Sequence, residues 1–249
     1  MKFKTVVLMC LLFAVSLPAT AQDKTAPPPP PKSFTGNFGA GLALTGGNTD
    51  TKSFNLSYEV THDPKKRNIF KSQGLYLRSS ASDVTTTDLL RIGVKDDYLL
   101  TDRVSVYGAF GYLRDPFKSI SYLLNPNGGL GFRIYNTDHI SFALNGGAGG
   151  VWEKNEGIDV RSSGTLNAGQ NFSYKLSDTS KITQNMTGMW KTSEMADALY
   201  HFDIALVTSV VKKVDVKIEF MDEYKNRTPF GIKKNDTALI MSLLYKFAS

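Results

Sequence analysis

Few residues in this sequence have the type and spacing needed to bind a metal or to act in catalysis. The segment 45–51, TGGNTDT, combines oxygen-bearing side chains with glycines, which would suit a cation site, an anion-binding turn or the tip of a β-hairpin. Only Asp50 brings a full carboxylate and the spacing of an EF-hand is absent, so the hairpin is favoured over calcium binding. His62, His139 and His201 form no metal-ligand motif. The sequence therefore predicts neither a metal nor a cofactor.

A lipid-modifying activity would require a serine activated by a histidine. His201 with Ser162 or Ser163 is a conceivable pair, but no motif surrounds these residues. We therefore expect no enzyme, and keep a lipid-modifying barrel only as an alternative.

Three further segments have candidate roles. Glu219 and Glu223 lie on one face of a predicted strand, and Lys217 beside them favours ion pairing over acid–base catalysis. Residues 114–117, RDPF, end a strand, because proline cannot donate a ladder hydrogen bond; the functional alternative is a loop that folds into a pore. The glycine-rich segment 145–150 lacks the Lys-Ser and the helix of a phosphate loop, and favours bends or close packing.

The N-terminal residues predict export. Lys2 and Lys4 precede an apolar stretch that ends in the small residues of 19–21, so residues 1–21 are predicted to be a signal peptide cleaved after Ala21. Without them the chain has no cysteine, and 27 basic against 23 acidic residues leave a net charge of about +4. This mild, scattered charge argues against nucleic-acid binding. The proline-rich residues 22–33 are predicted to be a stiff periplasmic tether.

From residue 34 onward the sequence alternates between apolar and polar residues. In residues 53–60, for example, Phe54 and Leu56 share one face and Asn55 shares the other with Ser57, as in a strand between two environments. Turn-like clusters spaced about 16 to 22 residues apart divide the chain into twelve predicted strands. These clusters centre on Asn48, Lys65, Asp83, Asp102, Lys118, Thr137, Glu156, Asp178, Glu194, Lys213 and Gly231.

An all-β, antiparallel transmembrane β-barrel of 12 strands over residues 34–249 explains this pattern better than a soluble β-sandwich. The predicted strands are long enough to cross a membrane at a tilt, and the turns at one end are predicted to be shorter than the loops at the other. Aromatic residues form two predicted belts at headgroup depth. The first belt is Tyr58, Phe70, Tyr98, Phe172, Tyr174, Tyr245 and Phe247, and the second is Tyr76, Tyr112, Trp152, Trp190 and Tyr200.

The polar faces of these strands would line the lumen. If a path crosses the barrel, parity alone predicts that basic and acidic residues in balance line it, without clear charge selectivity. These residues are Arg91, Lys95, Arg133 and Lys217 against Glu59, Asp97, Asp203 and Glu219.

Several strings identify a family resemblance. The segment from Phe38 to Phe54, with its string GLALTGGNTDTKSFNL, resembles the YdiY-like salt-induced outer-membrane proteins, known as domain of unknown function 481. Further matching strings are KDDYLLTDR at 95–103, YLRDPF at 112–117, GGLGFR at 128–133 and the last strand at 235–247. The resemblance implies an outer-membrane barrel, and implies no reaction, cofactor or ligand.

We therefore expect a bacterial outer-membrane barrel that acts as a narrow passive channel or a structural envelope protein. A lipid-modifying enzyme and a barrel that binds lipopolysaccharide or another partner are the alternatives. The expected partners are outer-membrane lipid, lipopolysaccharide and the barrel-assembly machinery. Both chain ends are expected to face the periplasm.

Overall fold

Twelve antiparallel strands form a closed barrel in the computed structural model, which describes residues 33–46, 51–81, 84–228 and 230–248. The predicted signal peptide, nearly all of the tether and the centre of TGGNTDT lie outside these residues. The strands are β1 Phe34–Gly46, β2 Thr51–His62, β3 Asn68–Ala81, β4 Val84–Leu99, β5 Val104–Asp115, β6 Ile120–Asn136, β7 Ile140–Asn155, β8 Arg161–Lys175, β9 Ser180–Lys191, β10 Glu194–Val211, β11 Val214–Lys225 and β12 Asn235–Ala248. A 3-10 turn at Pro116–Lys118 joins β5 to β6.

Alternation sorts the side chains between an outer apolar surface and an inner face. On β2, Phe54 and Leu56 are exposed on the outside, while Asn55 between them is completely buried. Asn55 accepts a hydrogen bond of 2.9 Å from the hydroxyl of Ser242 on β12, so its side chain reaches across the first strand. The predicted 12-strand barrel is confirmed, and each strand pairs with its neighbour in the chain while β1 also pairs with β12.

The two ends of the barrel can be named from the chain itself. The terminal end carries the start of β1, the end of β12 and the connections that follow β2, β4, β6, β8 and β10. The loop end carries the remaining connections, including 226–234 between β11 and β12.

The loops differ less between the two ends than the sequence predicted. At the loop end, β9 and β10 are joined only by Thr192 and Ser193, so that Glu194, expected in the turn, begins β10. The backbone N–H of Thr192 donates to the carbonyl of Gly164 (2.9 Å), and that of Ser193 donates to the Ser163 hydroxyl (3.1 Å). The neighbouring strand β8 thus holds this turn tight.

Aromatic side chains lie on the outer surface near both ends. Tyr98 and Tyr245 are exposed near the terminal end, and Trp152 is exposed near the loop end. Trp190 and Tyr200 pack edge to face, with a hydrogen bond of 3.0 Å from the indole N–H to the phenol oxygen. Such rings suit the two interfaces of a membrane. Within the described residues, no helix has the length and hydropathy to cross a membrane.

Candidate functional site

The inner face of the loop-end half is filled by apolar side chains from opposite walls of the barrel. We call these nine buried residues the apolar plug, and its members come from seven strands, β3 to β7, β11 and β12. They are Leu77, Leu89, Leu113, Ile120, Leu123, Val151, Met221, Ala238 and Ile240. The contact between apolar side chains of these strands narrows the lumen in the loop-end half.

The segment between β5 and β6 turns into the barrel instead of extending outward. Asp115 accepts a hydrogen bond of 3.3 Å from the backbone N–H of Lys118, and Pro116 begins the 3-10 turn. Ser119 then takes a left-handed backbone angle (φ 58°), which reverses the chain, and Ile120 is fully buried. Residues 114–117 were predicted to end a strand, with an inward-folding loop as the alternative. In the structure β5 ends at Asp115, and the 3-10 turn that follows places Lys118 inside the barrel.

Lys118 crosses the lumen to the opposite wall. Its side chain is only 3% exposed, and its Nζ donates a hydrogen bond of 2.6 Å to the backbone carbonyl of Glu223 on β11. The same ammonium lies 3.5 Å from the carboxylate of Asp236 on β12. Since β5 and β6 lie opposite β11 and β12 in the strand order, this lysine ties the two sides of the loop-end half together.

A second cross-barrel contact centres on Glu153 of β7. Its carboxylate, 4% exposed, forms ion pairs with Lys191 of β9 and Lys225 of β11, the latter at 2.8 Å. Lys191 also pairs with Asp197 at 2.6 Å. One carboxylate thus compensates two buried ammonium groups, which would be costly to leave unpaired.

A third contact joins β4 to β10 and β11. The Arg91 guanidinium forms an ion pair with the Glu223 carboxylate, which also lies 2.7 Å from Nδ1 of His201. Nε2 of the same ring lies 3.0 Å from Asp203, whose carboxylate also accepts a hydrogen bond of 2.8 Å from Asn185. A protonated imidazole can donate to both carboxylates at once. We refer to these three sets of contacts together as the cross-barrel network.

The serine–histidine pair considered from the sequence is not assembled. Both ring nitrogens of His201 face carboxylates, whereas the Ser163 hydroxyl donates to the carbonyl of Gly164 at 2.8 Å. Ser162 lies opposite Trp152 in the β7–β8 register, on the outer face. No histidine-activated serine is therefore formed by these residues.

The eight residues predicted to line a path fall into different surroundings on the inner face. Arg91 and Asp203 belong to the cross-barrel network, while Lys95 pairs with Asp97 at 2.9 Å. Lys217 pairs with Glu219 at 2.9 Å and approaches Glu59 at 3.7 Å. Arg133 follows Gly131 by two residues on the inner side of β6.

The predicted ion pairing near Lys217 is therefore present with Glu219, but Glu223 pairs with Arg91 and His201 instead. Whether these residues line a permeation path stays a prediction. The sequence could not place Lys118, Glu153, Lys191 or Lys225, because alternation reveals the direction of a side chain and not its partner across the lumen.

Close packing of glycines allows Tyr107 to lie against the inner wall near mid-barrel. A Cβ atom at Gly147 would lie 2.2 Å from the Gly128 carbonyl oxygen and 2.6 Å from the Tyr107 hydroxyl. The Tyr107 ring also carries the Lys95 ammonium at 4.5 Å from its centroid. The prediction that the glycine-rich segment 145–150 serves close packing agrees with this geometry.

The terminal-end half contains a cavity of about 670 Å³, which we call the vestibule. Its walls come from β1, β2 and β9 to β12, and they include five lysines against two carboxylates. These charged residues are Lys181, Lys212, Lys213, Lys217, Lys246, Glu59 and Asp215. Within the part of the chain that the structure describes, no cluster of histidine, aspartate and glutamate has the arrangement of a metal site.

Comparisons with known proteins agree with this architecture. The NanC porin covers 84% of this chain with 100% of its own, at 10% identity and a TM-score of 0.57. An outer-membrane channel from Pseudomonas putida F1 covers 90% of this chain with 100% of its own, at 13% identity and a TM-score of 0.53. At such identities the likeness concerns the fold alone. A search of curated proteins found no match.

The family comparison covers nearly the whole barrel. The model described as "Protein of unknown function, DUF481" matches residues 38–247. These residues extend from β1 to β12 and include both the vestibule and the apolar plug. The chain therefore belongs to the DUF481 family.

Proposed function

We propose that this protein is a narrow outer-membrane channel for small solutes, closed at rest in its loop-end half. A 12-stranded barrel encloses a smaller lumen than the 16 to 18 strands of general porins. An apolar constriction can close such a lumen by excluding water, and ions then cross only after it widens. The fold shared with a porin and with an outer-membrane channel supports this proposal.

The observation that carries the proposal is the position of Lys118. A single side chain from a short, irregular connection holds that connection against the opposite wall, through one backbone carbonyl and one carboxylate. The contact can be released without breaking any ladder hydrogen bond between strands. Release of Lys118 would allow residues 116–119, which lie between the strands, to move outward and so widen the lumen beside the apolar plug.

The proposal also assigns the terminal end to the periplasm. The chain ends of outer-membrane barrels lie there with the shorter turns. Export by the predicted signal peptide 1–21 and insertion by the barrel-assembly machinery complete this proposed route. The vestibule would then open to the periplasm, and the apolar plug would lie toward the cell exterior.

Planar-bilayer conductance tests the channel. We expect small and infrequent openings for the native protein, and a several-fold increase in open probability or conductance for Lys118→Ala. Lys154→Ala is the matched control, because it removes a lysine near the same end from the outer side of β7. A folded Lys118→Ala barrel that conducts no more than the native protein would contradict the proposed closure.

A structural envelope protein is the second candidate, and the buried cross-barrel network favours it. Ion pairs that join β4, β7, β9, β10 and β11 would stiffen the barrel whether or not solute passes. The absence of conductance in both native and Lys118→Ala barrels would support this role. A lipopolysaccharide-binding role would instead involve the connection 226–234, where Arg227 pairs with the exposed Glu194.

A further inference from the structure

We infer that the vestibule binds small solutes carrying two or more carboxylate or phosphate groups. The inference names the solute class of the proposed channel, and it rests on that proposal for a role in transport. Binding itself requires only the vestibule. At about 670 Å³ the cavity falls within the range of small-molecule sites.

The charges around the vestibule are not balanced once their partners are considered. Asp215 is occupied by Lys246 at 2.5 Å, and it also accepts a hydrogen bond of 2.6 Å from Ser209. Glu59 approaches Lys217, which is itself paired with Glu219. Both carboxylates of the lining thus already face an ammonium group.

Three lysines of the lining remain without a carboxylate partner among the described residues. Lys181 is the second residue of β9, while Lys212 and Lys213 form the turn between β10 and β11, and all three are exposed. Lys213 lies at the rim of the vestibule, 6.0 Å from the centroid of the Tyr245 ring. Three ammonium groups around one cavity favour a ligand with several negative charges.

The other wall groups suit an oxygen-rich ligand. Thr35, Thr61 and Thr183 supply hydroxyls, and Asn37 supplies an amide that donates to Glu59 at 3.3 Å. Hydroxyl groups can donate to carboxylate or phosphate oxygens that the lysines have attracted. The vestibule therefore combines charge attraction with neutral donors, whereas the buried lysines of the loop-end half, Lys118, Lys191 and Lys225, are paired with carboxylates.

Isothermal titration of the full mature barrel in detergent tests the inference. The probes are citrate and inorganic pyrophosphate, with neutral maltotriose as the uncharged comparison. We expect binding of at least one anionic probe and none of maltotriose. Citrate binding alone assigns carboxylate solutes, pyrophosphate binding alone assigns phosphate solutes, and binding of both assigns polyanions of either kind.

The decisive variant combines Lys181→Gln, Lys212→Gln and Lys213→Gln. We expect its affinity for the bound probe to fall about tenfold or more, as three weak charge contacts are lost. The matched control combines Lys66→Gln, Arg67→Gln and Arg103→Gln, which removes three exposed positive charges from the same end outside the vestibule. Heat-modifiable gel migration checks that both variants are folded.

Two results would overturn the inference: no binding of either anion by the folded native barrel, or an equal loss of affinity in the two triple variants. The result is separable from the channel proposal. Anion binding by a barrel that never conducts would leave the vestibule site standing and remove its role in transport. Conductance without anion binding would remove the site and leave the channel.

Discussion

In the loop-end half, inward side chains from opposite strands touch one another, whereas in the terminal-end half they leave a cavity of about 670 Å³. The same twelve strands build both halves, so strand number alone does not determine whether the lumen is filled. The difference comes from the inner residues and from one connection. Leucines, ion-paired charges and residues 116–120 fill one half. Threonines surround the space in the other, together with lysines of which three have no carboxylate partner among the described residues.

The comparison suggests a division of labour between stability and recognition. Buried ion pairs and apolar contacts are expensive to disturb because nothing replaces a missing partner. Substitution of an exposed lysine changes the free energy of unfolding little, since solvent screens the interactions of its charge. Substitutions in the loop-end half should therefore alter stability, and substitutions in the vestibule should alter binding.

The largest effect is expected for Glu153→Ala, which leaves Lys225 buried without its carboxylate and Lys191 with Asp197 alone. We expect the free energy of unfolding to fall by about 3–5 kcal/mol. Urea titration followed by heat-modifiable migration measures it. Glu194→Ala is the control, because this carboxylate is half exposed in its pair with Arg227, and about 1 kcal/mol or less is expected. Equal losses would remove the distinction between buried and exposed pairs.

A smaller loss is expected for Leu77→Ala in the apolar plug, where the side chain is 1% exposed. Removing a buried leucine from a packed interior costs about 3 kcal/mol, because a cavity remains. The control is Leu243→Ala, whose side chain is exposed on the outer surface and leaves no internal cavity. Lipid can fill the space left at residue 243, so the same urea titration should show a smaller loss in the free energy of unfolding for Leu243→Ala than for Leu77→Ala.

The junction between the halves can be tested with Gly147→Ala. The added methyl group would meet the Gly128 carbonyl, and we expect a destabilisation of about 1–3 kcal/mol from overpacking. Gly108→Ala provides the control, because no atom lies within 4 Å of the added Cβ. An unchanged unfolding midpoint for Gly147→Ala would show that the wall near Tyr107 can yield.

The smallest effect on stability is expected for Lys213→Ala in the vestibule. Among the described residues this exposed side chain makes a single, distant contact with the Tyr245 ring, so we expect the free energy of unfolding to change by less than about 1 kcal/mol. Urea titration of the native and variant barrels measures the difference in their free energies of unfolding. A loss comparable to that of Glu153→Ala would contradict the proposed division of labour.

Alternation was sufficient to predict the strand number and the direction of most side chains. Asn55 and Glu219 face inward because every second residue does, and the turn at Lys118 was predicted from local sequence. The inner face of residues 69–78 is not purely polar, because Leu77 adds an apolar residue to it, and this was a signal of the apolar plug. Inward leucines in several strands at the same end could have indicated a filled half-lumen.

The contacts across the lumen could not be predicted. Lys118 is an ordinary residue for an exposed turn, and nothing nearby indicates that its partners lie on β11 and β12. Such contacts depend on the curvature and closure of the whole sheet. The unequal charge of the vestibule was hidden for the same reason, because paired and unpaired lysines are indistinguishable in a count along the chain.

The hydrogen bond between Asn55 and Ser242 joins residues separated by 187 positions, across a first strand that pairs directly with the last. During synthesis β1 is made first, and its free edge must wait until β12 is available. Such distant pairing is slow to form, and an unpaired edge invites contacts with other chains. The pairing of β1 with β12 therefore cannot form before the fourteen residues of β12 have been made. Until then the chain must be kept from aggregating.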